Sequence, residues 1–186
     1  MANTSDRKRP LLRVLTGGRS RISRIGAVEI QAGPLEWLAE PCMAAVEEQD
    51  TYLVMKRQPE VPEAREHVIR TMTNAMQVQP QQPGSILVCQ GSPLRLLAIT
   101  NDFDQDPPCR PLWVAAALNN LIDIVFRHEI SSLVMPPLGR TAKVIDLGEF
   151  ISLLQQAFGP VRQLPLKRLW LEVGPAEAVE IQKLLR

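Results

Sequence analysis

Cysteine is scarce in this sequence. The 186 residues contain three, Cys42, Cys89 and Cys109, an odd number with no Cys-x-x-Cys pair. A disulfide framework is therefore not expected, and free thiols in a reducing compartment are. Long apolar runs are also missing. The longest, Leu112 to Leu118, falls far below the roughly 20 residues that a membrane helix needs. Near the start, Arg13 separates Leu11-Leu12 from Val14-Leu15, so the apolar segment of about 7–15 residues found in secretory signals has no counterpart. The expectation is a cytoplasmic protein with no membrane partner. No G-x-S-x-G, G-x-x-x-x-G-K-[ST] or G-x-G-x-x-G occurs, which removes the short signatures of esterase nucleophiles, P-loops and dinucleotide folds. Net charge is nearly absent as well, with 21 Lys and Arg against 20 Asp and Glu.

What remains is an ordinary globular composition. Hydrophobic residues make up 45% and charged residues 22%, which argues against disorder. A compact chain of this length buries roughly 70% of its unfolded surface, so it needs no structural metal, and no cofactor is expected. The near-zero charge conceals a segregation. Residues 1–24 hold seven cations (Arg7, Lys8, Arg9, Arg13, Arg19, Arg21, Arg24) and one anion, Asp6. The other 162 residues carry 14 cations and 19 anions. The expected organisation is a basic N-terminal extension, 1–24, and one mildly acidic domain, 25–186, with no repeats and no dividing linker.

Hydrophobic patterning predicts alternating elements. Short strands are expected at Leu11–Leu15, Ile22–Gln31 and Tyr52–Met55, with a short helix or irregular connection between Leu35 and Val46. Val68, Ile69, Met72 and Met76 at helical spacing predict a helix over Glu63–Met76. Two apolar runs, Ser85–Val88 and Leu94–Thr100, flank Gln90-Gly91-Ser92-Pro93 and read as a hairpin. Pro111 suits the first turn of a helix reaching about Arg127. Leu133-Val134-Met135 reads as a central strand covered on both faces. Asp146 with Glu149 three residues on predicts the N-cap of a helix running to Phe158, with Gly159 as its C′ residue and Pro160 barring continuation. Leu169–Val173 and Pro175–Leu185 predict a last strand and helix. Such alternation means a three-layer α/β/α sandwich with a mixed, largely parallel central sheet.

The most informative segment runs from Leu133 to Lys143, L-V-M-P-P-L-G-R-T-A-K. It joins a buried strand to a capped helix. Ligands of open α/β sheets bind in such loops, at the carboxyl ends of strands, and the helix that follows presents orphan N–H groups. Gly139 would let backbone approach a ligand, and Arg140 and Lys143 add positive charge. The expected ligand is an anion, most naturally a phosphate.

This run resembles the strand-and-loop signature of macro domains, which bind ADP-ribose. Asp50–Met55 resembles the family's first central strand. Pro83–Val88 with Leu94–Thr100 resembles its paired strands, and Lys167–Val173 with Glu177–Leu185 its closing strand and helix. The resemblance covers residues 25–186 in order of elements. It implies a macro-like fold with a ligand-binding loop formed by Pro137, Leu138, Gly139, Arg140, Thr141, Ala142 and Lys143, and with Asn101 and Asp102 at the same edge. Three family features are altered. Lys56–Pro62 has no Gly or Asn where the family has a Gly-rich first phosphate loop. Pro34 follows Gly33 where the family has an adenine-contacting Asp. Arg140-Thr141-Ala142 replaces a Thr-Gly turn.

The expectation is therefore a noncatalytic module that binds a nucleotide or other phosphorylated, ADP-ribose-related ligand. Protein–protein contact or assembly on a degenerate macro-like domain is the alternative, and ADP-ribosyl hydrolysis is third. Expected partners are ADP-ribose or a related nucleotide, nucleic acid or an acidic surface through the basic arm, and a second copy of the chain. Asp102, Asp104 and Asp106 alternate as a calcium loop does, but Pro107 takes the place of its Gly and Trp113 that of its Glu, so they read as a solvated loop. His67 and His128 lack ligand spacing, and Cys109, near a helix start, reads as an inert thiol.

Overall fold

The computed structural model describes residues 22–55 and 79–186. The expected strand Leu11–Leu15, nearly all of the basic extension, the Lys56–Pro62 loop and the helix Glu63–Met76 lie outside the described residues.

Seven strands form one sheet: β1 (Ser23–Ile25), β2 (Val28–Gly33), β3 (Ala44–Asp50), β4 (Ile86–Cys89), β5 (Leu94–Asn101), β6 (Ser132–Met135) and β7 (Arg168–Glu172). Their spatial order is β1-β2-β7-β6-β3-β5-β4. The inner five, β2, β7, β6, β3 and β5, run parallel. The edge strands β1 and β4 are antiparallel to their neighbours. The sheet is thus mixed and largely parallel, as the alternation predicts. Among the described residues there are three α-helices: α1 (Pro111–Arg127), α2 (Leu147–Phe158) and α3 (Pro175–Leu184).

Period-2 alternation assigns the faces. Ala44 and Val46 of β3, Leu133 and Met135 of β6, and Leu169 and Leu171 of β7 share one buried cluster with Val114, Leu118 and Leu121 of α1, Phe150 and Leu154 of α2, and Ile181 of α3. Ala45, Val134 and Trp170, one residue out of phase, form a small second cluster under Leu38 and Cys42. These three described helices therefore share one face of the sheet. Each fully buried Leu or Ile there contributes about 1.5–3 kcal/mol of transfer free energy.

The helix-starting signals act as sequence logic requires. Pro111 occupies the first turn of α1. The Asp146 carboxylate caps α2 by accepting from Glu149 N at 2.8 Å. Gly159 departs from expectation: it is the C-cap of α2 rather than its C′ residue, and its backbone is right-handed.

Two further expectations are corrected. Ile22–Gln31 is not one strand. Gly26, at φ +56°, turns the chain between β1 and β2, and a left-handed position is open to Gly at no steric cost. Tyr52–Met55 is not the first central strand either, and the Asp50–Met55 match falls on the turn after it. That strand is Ala44–Asp50. Its polar end, Glu47-Glu48-Gln49-Asp50, hides it from a reading based on apolar runs. Asp50 is 1% exposed, and its carboxylate accepts from the backbone N–H of Tyr52 (2.7 Å), Val54 (3.1 Å) and Met55 (2.8 Å). Those bonds tie the apolar run into a turn.

Candidate functional site

Because five neighbouring strands are parallel, their carboxyl ends meet at one edge of the sheet. A cleft of about 800 Å3 opens there. Its walls come from Pro34–Glu36 after β2, Glu47–Gln49 at the end of β3, Pro136, Pro137, Arg140 and Thr141 after β6, and Glu172–Pro175 with Glu177 after β7. The cleft lies where ligands of open α/β sheets bind.

The loop after β6 takes part, but not uniformly. Pro137, Arg140 and Thr141 line the cleft. Leu138 is fully buried, and Ala142 packs against the core. Lys143 is exposed and off the cleft wall. Gly139 has φ +81°, and a Cβ there would stand 2.6 Å from Ile145 Cδ1. The close approach of Ile145 and the left-handed backbone are by themselves reason for glycine here.

The donors of this loop already have an acceptor. Gly139 N–H donates to Glu48 Oε1 at 2.6 Å, and the Thr141 hydroxyl to Glu48 Oε2 at 2.5 Å. From β5, the Thr100 hydroxyl donates to Glu48 Oε1 at 2.8 Å and Asn101 Nδ2 to the same oxygen at 3.1 Å. Thr100 and Asn101 are both fully buried. Asn101 thus joins the site as a donor to a carboxylate. Asp102 does not: it accepts from Gln105 Nε2 at 2.8 Å and from Asp104 N at 3.2 Å, away from the cleft lining. Of the orphan N–H groups expected from the next helix, that of Glu149 is engaged, by the Asp146 carboxylate.

Sequence reasoning missed Glu48, and with it the character of the cleft. Among the described lining residues are five carboxylates, Glu36, Glu47, Glu48, Glu172 and Glu177, and one cation, Arg140. Arg140 Nη2 is itself paired with Glu177 Oε1 at 2.7 Å. Glu47 is held by Arg95 in a two-pronged pair, 3.0 Å for each bond. The available signal was the run of acidic and amide residues ending an otherwise apolar segment, Ala44-Ala45-Val46.

Cys109 lies beneath the site, fully buried. Burial pushes its thiol up to about 12, and the Glu48 charge adds to the effect. No group of three or more His, Cys, Asp or Glu among the described residues could hold a metal ion. No helix among them is long and apolar enough to cross a membrane.

No family model and no curated protein matches the sequence. Solved structures match the fold. The Oceanobacillus iheyensis macrodomain with ADP has a TM-score of 0.65 at 12% identity, over 89% of this chain and 94% of that one. The macro domain of ganglioside induced differentiation associated protein 2 has a TM-score of 0.58 at 13% identity, over 84% of this chain and 82% of that one. The chain has the macro-domain fold.

The macrodomain of Thermus aquaticus DarG is another structural neighbour, with a TM-score of 0.55 at 19% identity, over 77% of this chain and 97% of that one. A carboxylate of the chain accepts the N–H and hydroxyl of the loop expected to meet a phosphate.

Proposed function

We propose that this chain is a noncatalytic binding module whose cleft receives a nucleotide-related ligand by its sugar and base rather than by its phosphates. The reading is carried by one observation, the excess of carboxylates among the described residues that line the cleft. Ionised carboxylates only accept hydrogen bonds, so they suit ribose hydroxyls and exocyclic amino groups. They oppose phosphate: a second anion about 4 Å from Glu48 meets about 4 kcal/mol of repulsion at an effective dielectric of about 20. A single hydrogen bond to a charged group returns only about 1.5–3 kcal/mol. The ADP of the Oceanobacillus neighbour supports the nucleotide class and the fold supports the position. The noncatalytic reading is supported by how the lining carboxylates are held: Glu47 by Arg95, Glu177 by Arg140, and Glu48 by four donors.

Calorimetry with adenosine, AMP, ADP-ribose and inorganic phosphate tests it. Adenosine should bind at least as tightly as AMP, and phosphate should give no heat. Heat with phosphate, ADP-ribose binding tenfold tighter than adenosine, or no heat with any nucleoside would overturn the reading.

Protein–protein contact is favoured by a different observation. Phe103 is 57% exposed in the loop after β5, and Leu112 is 74% exposed in the first turn of α1. If that face joins two copies, the mass in light scattering should double with concentration, and Leu112→Ser should prevent it.

A further inference from the structure

Four donors from two places in the sequence converge on one carboxylate. Gly139 N–H and the Thr141 hydroxyl come from the loop after β6, and the Thr100 hydroxyl and Asn101 amide from the end of β5. Two of the donor side chains, Thr100 and Asn101, are fully buried. Asn101 is committed to this role: its Nδ2 serves Glu48, while its Oδ1 has no partner. No lysine or arginine is among the four. The arrangement is that of an oxyanion site, short bonds from neutral donors around a delocalised negative charge, and its occupant belongs to the chain.

We infer that Glu48 is the specificity-determining residue of the cleft: its side chain occupies a built oxyanion seat, and removing it opens that seat to a small carboxylate or phosphate. The inference rests on the cleft being the binding site and names what the site rejects. Glu48 Oε1 takes three donors, whereas Oε2 takes one, from the exposed Thr141. An ionised carboxylate offers about four acceptor positions, so the capacity that remains lies on Oε2. A ligand meeting it must bring a hydroxyl or amino group. Glu48 thus excludes anions twice over, by filling the seat and by its charge.

The test uses the full chain, as wild type, Glu48→Ala and Glu48→Ser. Thermal unfolding is followed at constant ionic strength in sodium chloride, acetate or phosphate. Acetate restores the missing carboxylate, and phosphate probes the wider oxyanion class. Each variant should gain about 3–6 °C over chloride at an anion concentration tenfold above its Kd. Wild type should gain nothing over chloride. Equal gains in wild type and variants, or no gain in either variant, would overturn the inference. If Glu48→Ala purifies unfolded, recovery of far-UV ellipticity on adding acetate becomes the readout, and its failure counts against the seat. Nucleoside binding by wild type is measured separately. A wild type that binds no nucleoside, beside variants that gain from acetate, sinks the proposed function and leaves the seat standing.

Discussion

Glu48 offers a stability prediction that separates its two roles, acceptor and charge. In Glu48→Ala, Gly139 N–H, the Asn101 amide and the Thr100 hydroxyl lose their acceptor in buried surroundings. A buried donor left unsatisfied costs about 1–3 kcal/mol. Not all of that is lost. Asn101 Nδ2 keeps a 3.2 Å bond to Thr100 Oγ1, the Thr100 hydroxyl can turn, and Thr141 is exposed to water. Water entering the vacated polar space recovers a further part. The net expectation is a loss of about 2–4 kcal/mol, or about 4–16 °C in Tm for a chain of this size. Glu48→Gln behaves differently. Its single oxygen can take the three bonds now made to Oε1, and its amide N–H can donate to Thr141. What it loses is the charge assistance, about 1–2 kcal/mol, partly offset by relief of repulsion among the cleft carboxylates. The order should be wild type, then Gln, then Ala. Guanidinium unfolding followed by circular dichroism checks it through the midpoint at unchanged m. An Ala variant within about 0.5 kcal/mol of wild type, or a Gln variant as damaged as Ala, would refute the reasoning.

Three further outcomes follow from the same geometry. Gly139→Ala must hold a left-handed backbone at about 1–2 kcal/mol and displace the Ile145 methyl that would lie 2.6 Å away. A loss of about 2–4 kcal/mol in chemical unfolding is expected, and a neutral substitution would remove the stated reason for glycine. Asp146→Ala should cost about 1 kcal/mol through the lost cap of α2, read as a shifted unfolding midpoint, whereas Asp146→Asn should retain most of it. Cys109, buried and pushed up to about 12, should resist Ellman's reagent in the native chain at pH 8 while the half-buried Cys42 and Cys89 react. The third thiol should appear only on unfolding. Because its folded pKa lies above the unfolded value of 9.0, the Cys109 contribution to stability is full below pH 9 and is lost as pH rises toward 12.

The legible parts of this chain are those in which local chemistry and tertiary role agree. Pro111 begins α1, Asp146 caps α2, and the hairpin of β4 and β5 stands where two apolar runs flank a Gly-Ser-Pro turn. The loop after β6 could be singled out because an apolar run, here Leu133-Val134-Met135 within the buried strand Ser132–Met135, belongs at the centre of a parallel sheet. The places where reading failed have a common cause. β3 carries Glu47, Glu48 and Gln49 on its carboxyl half because that half forms the cleft, so its hydrophobic pattern stops where its site begins. The neighbouring run Tyr52–Met55, apolar and compact, reads as the strand in its stead. Only Asp50, bonding three backbone N–H groups, makes it a turn.

The sequence by itself therefore determined the layered α/β class, the strand β6, the N-cap of α2 and the loop at the carboxyl edge. Those depend on spacing within a few residues, which a linear chain displays. The tertiary structure alone decided what meets that loop. Glu48 and Gly139 are 91 positions apart, and no local pattern marks a glutamate as the acceptor of a distant backbone N–H. Parallel pairing sets β3 between β5 and β6, and this brings the carboxylate to the donors. The loop that spacing and charge mark as a place for an anion has its anion supplied from within the chain.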